Sequence, residues 1–131
     1  TQGSPAVLPA RYRMTRSTDF GVTVRQGIRA VQPDIVVHAL HDGLPDGGDD
    51  GPKIGLVVSK SVGSAVQRHR VSRRLRHVAF HLINADASDL GPRARVVIRA
   101  LPGSRDAISS RLESELRTAL KKTRAQKQSR P

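Results

Sequence analysis

Short apolar segments separated by polar turns predict three strands in this chain. Residues 35–40 are rich in β-branched residues, and residues 94–100 form a similar segment that ends before Pro102 and Gly103. The segment 54–59 is continuously apolar rather than alternating, so we predict that it is buried on both faces. The three segments together predict one small sheet.

Two further segments predict helices near the ends of the chain. Ser17 or Thr18 can cap a first helix that runs to about Gln26 and stops at Gly27. A last helix is predicted from Ser104 to about Lys122, because an apolar residue recurs there every four positions: Ile108, Leu112, Leu116 and Leu120.

A central helix, predicted for residues 64–84, has one apolar side and one basic side. At about 100° per residue, its apolar residues fall in one sector: Val71, Leu75, Val78, Ala79 and Leu82. The opposite half is basic: His69, Arg70, Arg73, Arg74, Arg76, His77 and His81. Like charges at helical spacing repel each other, so this face favours a bound polyanion over a surface that is merely solvated.

These elements predict an α+β fold, a mixed α/β sandwich built as a single domain over residues 7–124. Residues 1–6 resemble an expression-tag remnant and are expected to be disordered. Residues 41–52 contain four aspartates, four glycines and two prolines, which predicts a flexible acidic loop. Residues 125–131 are expected to form a basic, disordered tail.

The amino-acid composition limits the kinds of molecule that this protein is expected to bind. The formal net charge is +12 over 131 residues, which is typical of a protein that binds nucleic acid or an anionic membrane surface. The apolar segments are too short to span a bilayer, no signal peptide is recognisable, and cysteine is absent, so we expect a cytoplasmic protein. Only three aromatic residues are present, which argues against binding that depends mainly on base stacking.

The chain lacks the motifs of a catalytic centre. Neither H-E-x-x-H nor G-x-S-x-G occurs. His77 and His81 stand at a spacing that could hold a metal, but their helix carries arginines and no carboxylate. We therefore predict no catalytic residue and no metal site in the protein alone, and these two histidines are expected to be exposed or to contact RNA.

The central segment resembles the signature of the bacterial ribonuclease P protein subunit. The matching run is Lys53-x-Gly55-x-x-Val58-Ser59-Lys60-x-Val62-Gly63-x-Ala65-Val66-x-Arg68-His69-Arg70-x-x-Arg73-x-Leu75-Arg76. The start Arg11-Tyr12-Arg13-Met14…Asp19-Phe20 and the segment Val96-Val97-Ile98 followed by Pro102 are also similar to that family. The resemblance extends from about Leu8 to Lys122.

The resemblance implies a fold of order α-β-β-β-α-β-α, with a four-stranded sheet and a left-handed βαβ crossover that departs from the usual right-handed rule. It also implies a subunit of the endonuclease that removes the 5′ leader of precursor tRNA. In that family a catalytic RNA performs the hydrolysis with Mg²⁺, and the protein binds that RNA and the leader. The implied partners are the RNA subunit and precursor tRNA, with no membrane and no required protein partner.

Site residues follow from the same resemblance. The contacts to the RNA subunit would be Lys60, Arg68, His69, Arg70, Arg73, Arg74 and Arg76. A cleft for the leader would contain Arg11, Arg13, Arg16, Phe20, Val24 and His38. His69 stands where asparagine is usual in the family, and Val24 and His38 stand where aromatic residues are frequent. The alternative reading is a basic ribosomal or nucleoid-associated protein that binds RNA or DNA and has no catalytic role.

Overall fold

The computed structural model describes residues 8–43, 51–84 and 90–129. The predicted tag remnant at residues 1–6 and most of the predicted acidic loop 41–52 lie outside the described residues. Three α-helices lie within them: α1 (Ser17–Gln26), α2 (Ala65–Asn84) and α3 (Ser109–Ser129). Short 3₁₀ helices at Ala10–Tyr12, Lys60–Val62 and Pro102–Asp106 precede α1, α2 and α3 respectively.

One mixed sheet contains the four strands of the described residues. They are β1 (Ile28–Val31), β2 (Ile35–Leu40), β3 (Lys53–Val57) and β4 (Arg95–Ala100), in the spatial order β1-β2-β4-β3. β2 is antiparallel to both β1 and β4, whereas β3 is parallel to β4. The predicted α+β class and the order α-β-β-β-α-β-α are confirmed. Helix α2 connects the parallel neighbours β3 and β4; the left-handed sense of that crossover stays a prediction.

The sheet separates a closed core from a second, partly open face. Ile35, Val37 and Ala39 of β2 belong to a core shared with apolar residues of α2 and α3. Because side chains alternate along a strand, His38 lies on the opposite face. Helix α1 contacts β2 and β4 on that opposite face. The two longer helices therefore cover one side of the sheet, and the shorter α1 leaves part of the other side exposed.

The segment before α1 lies along the outer edge of β3. Leu8 is buried in the core, and its carbonyl oxygen accepts a hydrogen bond from Arg13 Nε at 2.7 Å. Arg13 and Ile54 form a parallel bridge, in which the Met14 N–H donates to the Ile54 carbonyl at 2.9 Å. This segment fixes the position of three predicted leader-binding arginines, Arg11, Arg13 and Arg16, relative to the sheet.

A glycine and a reciprocal cap precede the first turn of helix α2. The Gln67 N–H donates to Ser64 Oγ at 3.2 Å, and the Ser64 N–H donates to Gln67 Oε1 at 2.8 Å. This Ser-x-x-Gln arrangement is a capping box, which satisfies two donors at the start of a helix. Gly63, the residue before this capping box, has φ 152° and ψ −158°, a conformation that residues with a Cβ rarely adopt.

Gly63→Ala is expected to lower the free energy of unfolding by about 1–3 kcal/mol, because it forces a Cβ into that conformation and against Gln67. Gly21→Ala is the matched control, and it is expected to raise the free energy of unfolding instead. It lies inside α1, where alanine favours the helix by up to about 1 kcal/mol, and its Cβ meets only the mobile end of Arg25. Urea unfolding of both variants measures the difference. Equal effects would contradict this explanation of Gly63.

Two predictions about the strands require correction. β1 was not among the three strands predicted from the apolar pattern, because it has only four residues and two of them are exposed. β3 was predicted to be buried on both faces, but it lies at the edge of the sheet and the Val57 side chain is 38% exposed. A continuous apolar run therefore did not indicate a central strand here.

The predictions of helix ends are also corrected. α3 begins at Ser109 rather than Ser104, because Ser104 is in the preceding 3₁₀ helix and its Oγ donates to the Leu101 carbonyl at 2.6 Å. Ile108 consequently precedes α3 and is exposed, whereas Leu112, Leu116 and Leu120 are buried as predicted. α3 continues past the predicted end at Lys122 and reaches Ser129. α1 begins at Ser17, but neither Ser17 nor Thr18 caps it, since Arg16 is its N-cap residue.

Across the three described ranges, no helix has both the length and the apolar content that crossing a membrane requires.

Candidate nucleic-acid interface

The buried stripe of α2 agrees with the helical pattern. Its buried residues are Val71, Leu75, Val78, Ala79 and Leu82, the five that were predicted. They pack in the core with Leu112 and Leu116 of α3. The orientation of α2 about its axis is therefore fixed, and its basic half is directed away from the core.

The basic half of α2 has two flanks. His69 and Arg76 lie on one flank, and half-buried Arg68 lies beyond them towards the buried stripe. Arg70, Arg73, Arg74 and His77 lie on the other flank and line a cavity of about 400 Å³, together with Ser109 of α3. Lys60 is exposed in the 3₁₀ helix that precedes α2. The predicted RNA-binding cations of α2 thus fall into two groups around the helix, and Arg68 lies apart from both, in the sector of the buried stripe.

Arg74 differs from its neighbours because it is bound within the protein. Its Nη2 donates to the carbonyl oxygens of Ser104 at 3.2 Å and Arg105 at 3.0 Å. These carbonyls belong to the 3₁₀ helix Pro102–Asp106. Arg74 therefore links α2 to the segment that leads into α3, which the arginine pattern alone did not indicate.

One histidine of the pair on α2 contacts an acidic residue that belongs to a different helix, α3. His81 Nδ1 lies 2.9 Å from Glu113 Oε1 of α3. The hydrogen bond to His81, together with Arg117 at 3.1 Å, lowers the pKa of Glu113 below its usual range. His77 is exposed, as predicted. No group of three or more possible metal ligands occurs among the residues that the structure describes.

The open face of the sheet lies beside α1 and carries His38, one of the residues of the predicted leader cleft. The strand registers place Arg29, His38, Val97 and Gly55 in one row across the sheet. The next row consists of Val31, Val36, Arg99 and Val57. The floor is therefore mostly aliphatic, with two arginines that the strand registers bring to the same face. Arg29 was not among the predicted site residues, because its position on this face follows from strand β1, which the apolar pattern did not predict.

Phe20 of α1 lies over the glycine of this floor. A Cβ on Gly55 would be 2.5 Å from Cε1 of the Phe20 ring and 3.2 Å from Met14 Sδ. Gly55 therefore permits the close approach of the aromatic ring to β3. Arg11, Arg13 and Arg16 are exposed on the segment that leads into α1, so the structure places Phe20 next to the basic segment. Val24, further along α1, is 42% exposed.

His38 is held in the floor beneath α1. Its side chain is nearly buried, and Nδ1 has no hydrogen-bond partner within the described residues. Burial lowers the pKa of His38 below its usual range, and the charges of Arg29 and Arg99 lower it further. The imidazole is therefore neutral near pH 7 in the free protein.

The lowered pKa of His38 predicts acid sensitivity. As the pH falls through the ordinary histidine range, the unfolded chain takes up a proton that folded His38 resists, so the free energy of unfolding decreases. His38→Gln is expected to reduce this decrease between about pH 7.5 and about pH 5.5. Urea unfolding at several pH values measures it, and an NMR titration of the imidazole reports the pKa directly. An unchanged pH slope in the variant would contradict the prediction.

Comparisons with known proteins identify the family of the chain. The family model described as Ribonuclease P matches residues 8–124. A ribonuclease P protein component of Mycolicibacterium vanbaalenii is 60% identical over 118 residues, which cover 90% of this chain and 94% of that protein.

Solved structures give the same fold. An RNase P protein mutant of Staphylococcus aureus with defective mRNA degradation activity has a TM-score of 0.70 at 22% identity, covering 85% of this chain and 86% of that one. The RNase P protein of Thermotoga maritima has a TM-score of 0.65 at 18% identity, covering 84% and 96%. At these identities the structures support the fold alone, whereas the family model and the sequence relatives establish descent. The chain belongs to the ribonuclease P protein family, whose members are protein subunits of a tRNA-processing endoribonuclease.

Proposed function

We propose that this protein binds the RNA subunit of ribonuclease P through the basic half of α2 and the 5′ leader of precursor tRNA through the cleft beside α1, in the cytoplasm. The observation that carries the proposal is the separation of these two surfaces. α2 packs on one face of the sheet, and Phe20 and the two rows of strand residues lie on the other. One small domain can therefore contact two segments of RNA at once.

The α2 surface has the chemistry of a phosphate-binding face. Arg70 and Arg73 are exposed, with no acidic residue in the first turn of the helix. Guanidinium groups remain charged and form paired hydrogen bonds with phosphate oxygens. His69 and Arg76 extend the same surface on the other flank, and Lys60 extends it beyond the N-terminus of α2. Arg74 contributes mainly by linking α2 to the 3₁₀ helix Pro102–Asp106.

The cleft has the chemistry of a single-strand site with little sequence preference. Its aliphatic floor and the Phe20 ring offer apolar contact to bases, and Arg29 and Arg99 offer charge to the backbone. Arg11, Arg13 and Arg16 add charge at the rim, while Val24 and neutral His38 complete the set predicted from the sequence. Since Phe20 is the only aromatic side chain in this set, hydrophobic and ionic contacts carry more of the binding than stacking does.

Catalytic Mg²⁺ does not fit the protein's own side chains, and the proposal assigns the ion to RNA. Mg²⁺ prefers oxygen ligands such as carboxylates, whereas both candidate surfaces are basic. Asp34 and Glu115 do meet, but Arg111 Nε lies 2.8 Å from Asp34 and 3.3 Å from Glu115 and occupies the space between them. Burial raises the pKa of Glu115, as does the side chain of Asp34, whereas the Asp34 N–H that donates to Glu115 Oε1 at 2.9 Å lowers it. This pair therefore joins α3 to the β1–β2 turn.

The decisive experiment is cleavage of a precursor tRNA by its cognate ribonuclease P RNA at low Mg²⁺, with and without the protein. We expect cleavage at the mature 5′ end only when the protein is present. A precursor with a single-nucleotide leader serves as the control, because it cannot fill the cleft and should gain less from the protein. A well-folded protein that gives no stimulation would instead favour a basic nucleic-acid-binding protein without a role in catalysis.

A further inference from the structure

Two buried polar atoms between α1 and the sheet lack a hydrogen-bond partner among the described residues. They are Oγ1 of Thr23, which is fully buried in α1, and Nδ1 of His38, which is nearly buried in β2. An unpaired polar group in a protein interior costs about 1–3 kcal/mol. Since most buried polar groups are paired, two such atoms in one interface point to a state of the protein in which they are satisfied.

The path of α1 across the sheet brings these two residues together. The Phe20 ring lies over β3, whereas a Cβ on Gly27, just after α1, would be 3.1 Å from the backbone of Ala39 in β2. α1 therefore crosses from β3 over β4 to β2. A helix rises about 1.5 Å per residue and strands lie about 4.8 Å apart, so Thr23 lies about one strand beyond Phe20. This position is over β4 and β2, on the face to which His38 points.

The strand charges nearest to His38 are positive. Arg29 of β1 is its direct partner in the antiparallel register, and Arg99 of β4 lies one side-chain row further along the sheet. Both arginines are exposed, and no acidic side chain pairs with either of them among the described residues. In the row on the other side of His38, Arg95 and Lys53 donate to backbone carbonyl oxygens.

The charged side chains of α1 do not neutralise this region. Arg25 is exposed and lies on the side of the helix opposite its buried residue, Thr23. Asp19 is in the first turn, at the β3 end of the helix. The ring of His38 is therefore influenced mainly by Arg29 and Arg99, which a bound anion can reach from the open face.

We propose that His38 is a proton-linked positioning residue for the leader. It takes up a proton from solvent when a leader phosphate lies beside Arg29 and Arg99, and the protonated ring donates from Nδ1 to Thr23 Oγ1. Both nitrogens of an imidazolium are donors, and a hydroxyl oxygen accepts. This hydrogen bond holds α1, and with it Phe20, on the sheet while the leader is bound. The inference rests on the leader-binding function proposed above.

The physical basis is that a phosphate offsets the charges that keep the ring neutral. In the free protein, burial lowers the pKa of His38, and Arg29 and Arg99 lower it further. A phosphate bound to these arginines reduces their effect at the ring, so the pKa of His38 is expected to be higher in the complex than in the free protein. Proton uptake and binding are then linked, and the leader binds more tightly as the pH falls through the histidine range.

The main test uses the reconstituted holoenzyme under conditions that block cleavage. It compares the affinity for a precursor tRNA with a long leader and for one with a single-nucleotide leader, because their ratio cancels effects of pH on the RNA subunit and the tRNA body. Between about pH 7.5 and about pH 5.5 the ratio should rise about fivefold or more, as is typical of linked sites. His38→Gln should abolish the rise, since glutamine does not titrate. His81→Gln, at an exposed histidine of α2, is the matched control and should keep it.

The outcomes separate this inference from the proposed function. A ratio above one that does not change with pH, or an equal rise in His38→Gln, would overturn the inference and leave leader binding intact. A ratio of one at every pH would overturn the leader assignment and the inference with it.

NMR of the histidine rings provides a measurement that needs no variant. Addition of a single-stranded leader oligonucleotide at about pH 6.5 should move the ring signals of His38 towards those of an imidazolium. Signals of His38 that stay neutral at a saturating concentration of the oligonucleotide would contradict proton uptake, whatever the behaviour of His38→Gln.

Thr23→Val tests the acceptor of the hydrogen bond. Valine has nearly the same shape as threonine and removes a hydroxyl that is unpaired in the free protein, so the free energy of unfolding should stay the same or increase. The rise of the affinity ratio at low pH should be smaller than in the parent, because the imidazolium loses its acceptor. An undiminished rise in Thr23→Val would overturn the hydrogen bond to Thr23.

Discussion

Exchanging both Arg70 and Arg73 for alanine is expected to weaken binding to the RNA subunit by about a hundredfold or more, because each arginine contributes a charge-assisted hydrogen bond. The slope of log K against log salt should become shallower by about two, roughly one for each phosphate that the variant no longer neutralises. Filter binding or fluorescence anisotropy over a salt series measures both quantities.

Stability should change in the opposite direction from affinity. Arg70 and Arg73 stand three residues apart on one helix, so alanine removes a repulsion of a few tenths of a kcal/mol, and alanine is the residue that most favours a helix. The double variant should therefore melt at the same temperature as the parent or slightly higher.

The double exchange Lys121→Ala and Lys122→Ala, on the exposed part of α3, is the control for affinity, because it removes the same charge away from both candidate surfaces. Equal reductions of affinity in the two double variants would mean that net charge alone drives binding. A shifted cleavage site would mean that α2 positions the substrate instead.

Gly55→Val is expected to abolish most of the contribution of the leader to substrate affinity. A Cβ at this position would lie 2.5 Å from the Phe20 ring, so the ring and α1 must move away from β3. Overpacking of this kind costs about 1–3 kcal/mol of stability. The affinity ratio between precursor tRNA and mature tRNA should fall towards one, while affinity for the RNA subunit is retained, because α2 lies on the other face of the sheet.

Gly91→Val is the matched control for this exchange. Among the residues that the structure describes, no heavy atom other than those of its chain neighbours lies within 4 Å of a Cβ at Gly91, so the same added volume meets open space there. The control should keep both the stability and the leader effect of the parent. Phe20→Ala provides a second variant that does not crowd the fold, and it should bind the leader more weakly with less change in α1. If Phe20→Ala binds leader as the parent does, the cleft beside α1 is not the leader site.

The helical periodicity of residues 64–84 predicted the buried side of α2 correctly because a single apolar stripe determines which way an amphipathic helix faces. The Ser64-x-x-Gln67 capping box was also readable in the sequence, and it would have located the start of α2. By contrast, Ser104 has the side chain of a good helix cap but belongs to a separate 3₁₀ turn. Local preference alone does not distinguish these two cases, since Ser104 Oγ bonds the preceding Leu101 carbonyl rather than an N–H of α3.

The contacts that form the cleft were harder to predict from the sequence. Phe20 and Gly55 are far apart in the sequence, and their contact depends on how α1 crosses the sheet. Arg29 reaches the row of His38 only through the antiparallel register of β1 and β2. β1 itself is a four-residue strand with a weak alternating signal. The resemblance to a known family supplied the general location of the cleft and the arginines before α1, but not Arg29 or the valines that make its floor aliphatic.

The pairing of Arg13 with Ile54 has a consequence for self-association. β3 is an outer strand, and an unpaired outer strand offers its backbone groups to strands of other molecules. Here the Met14 N–H occupies the Ile54 carbonyl, and burial of Leu8 anchors the segment that reaches it. Proteolytic removal of the residues up to Met14 would uncover this edge to the strands of other copies of the chain. Protection of the N-terminal segment from proteases is thus also protection against aggregation.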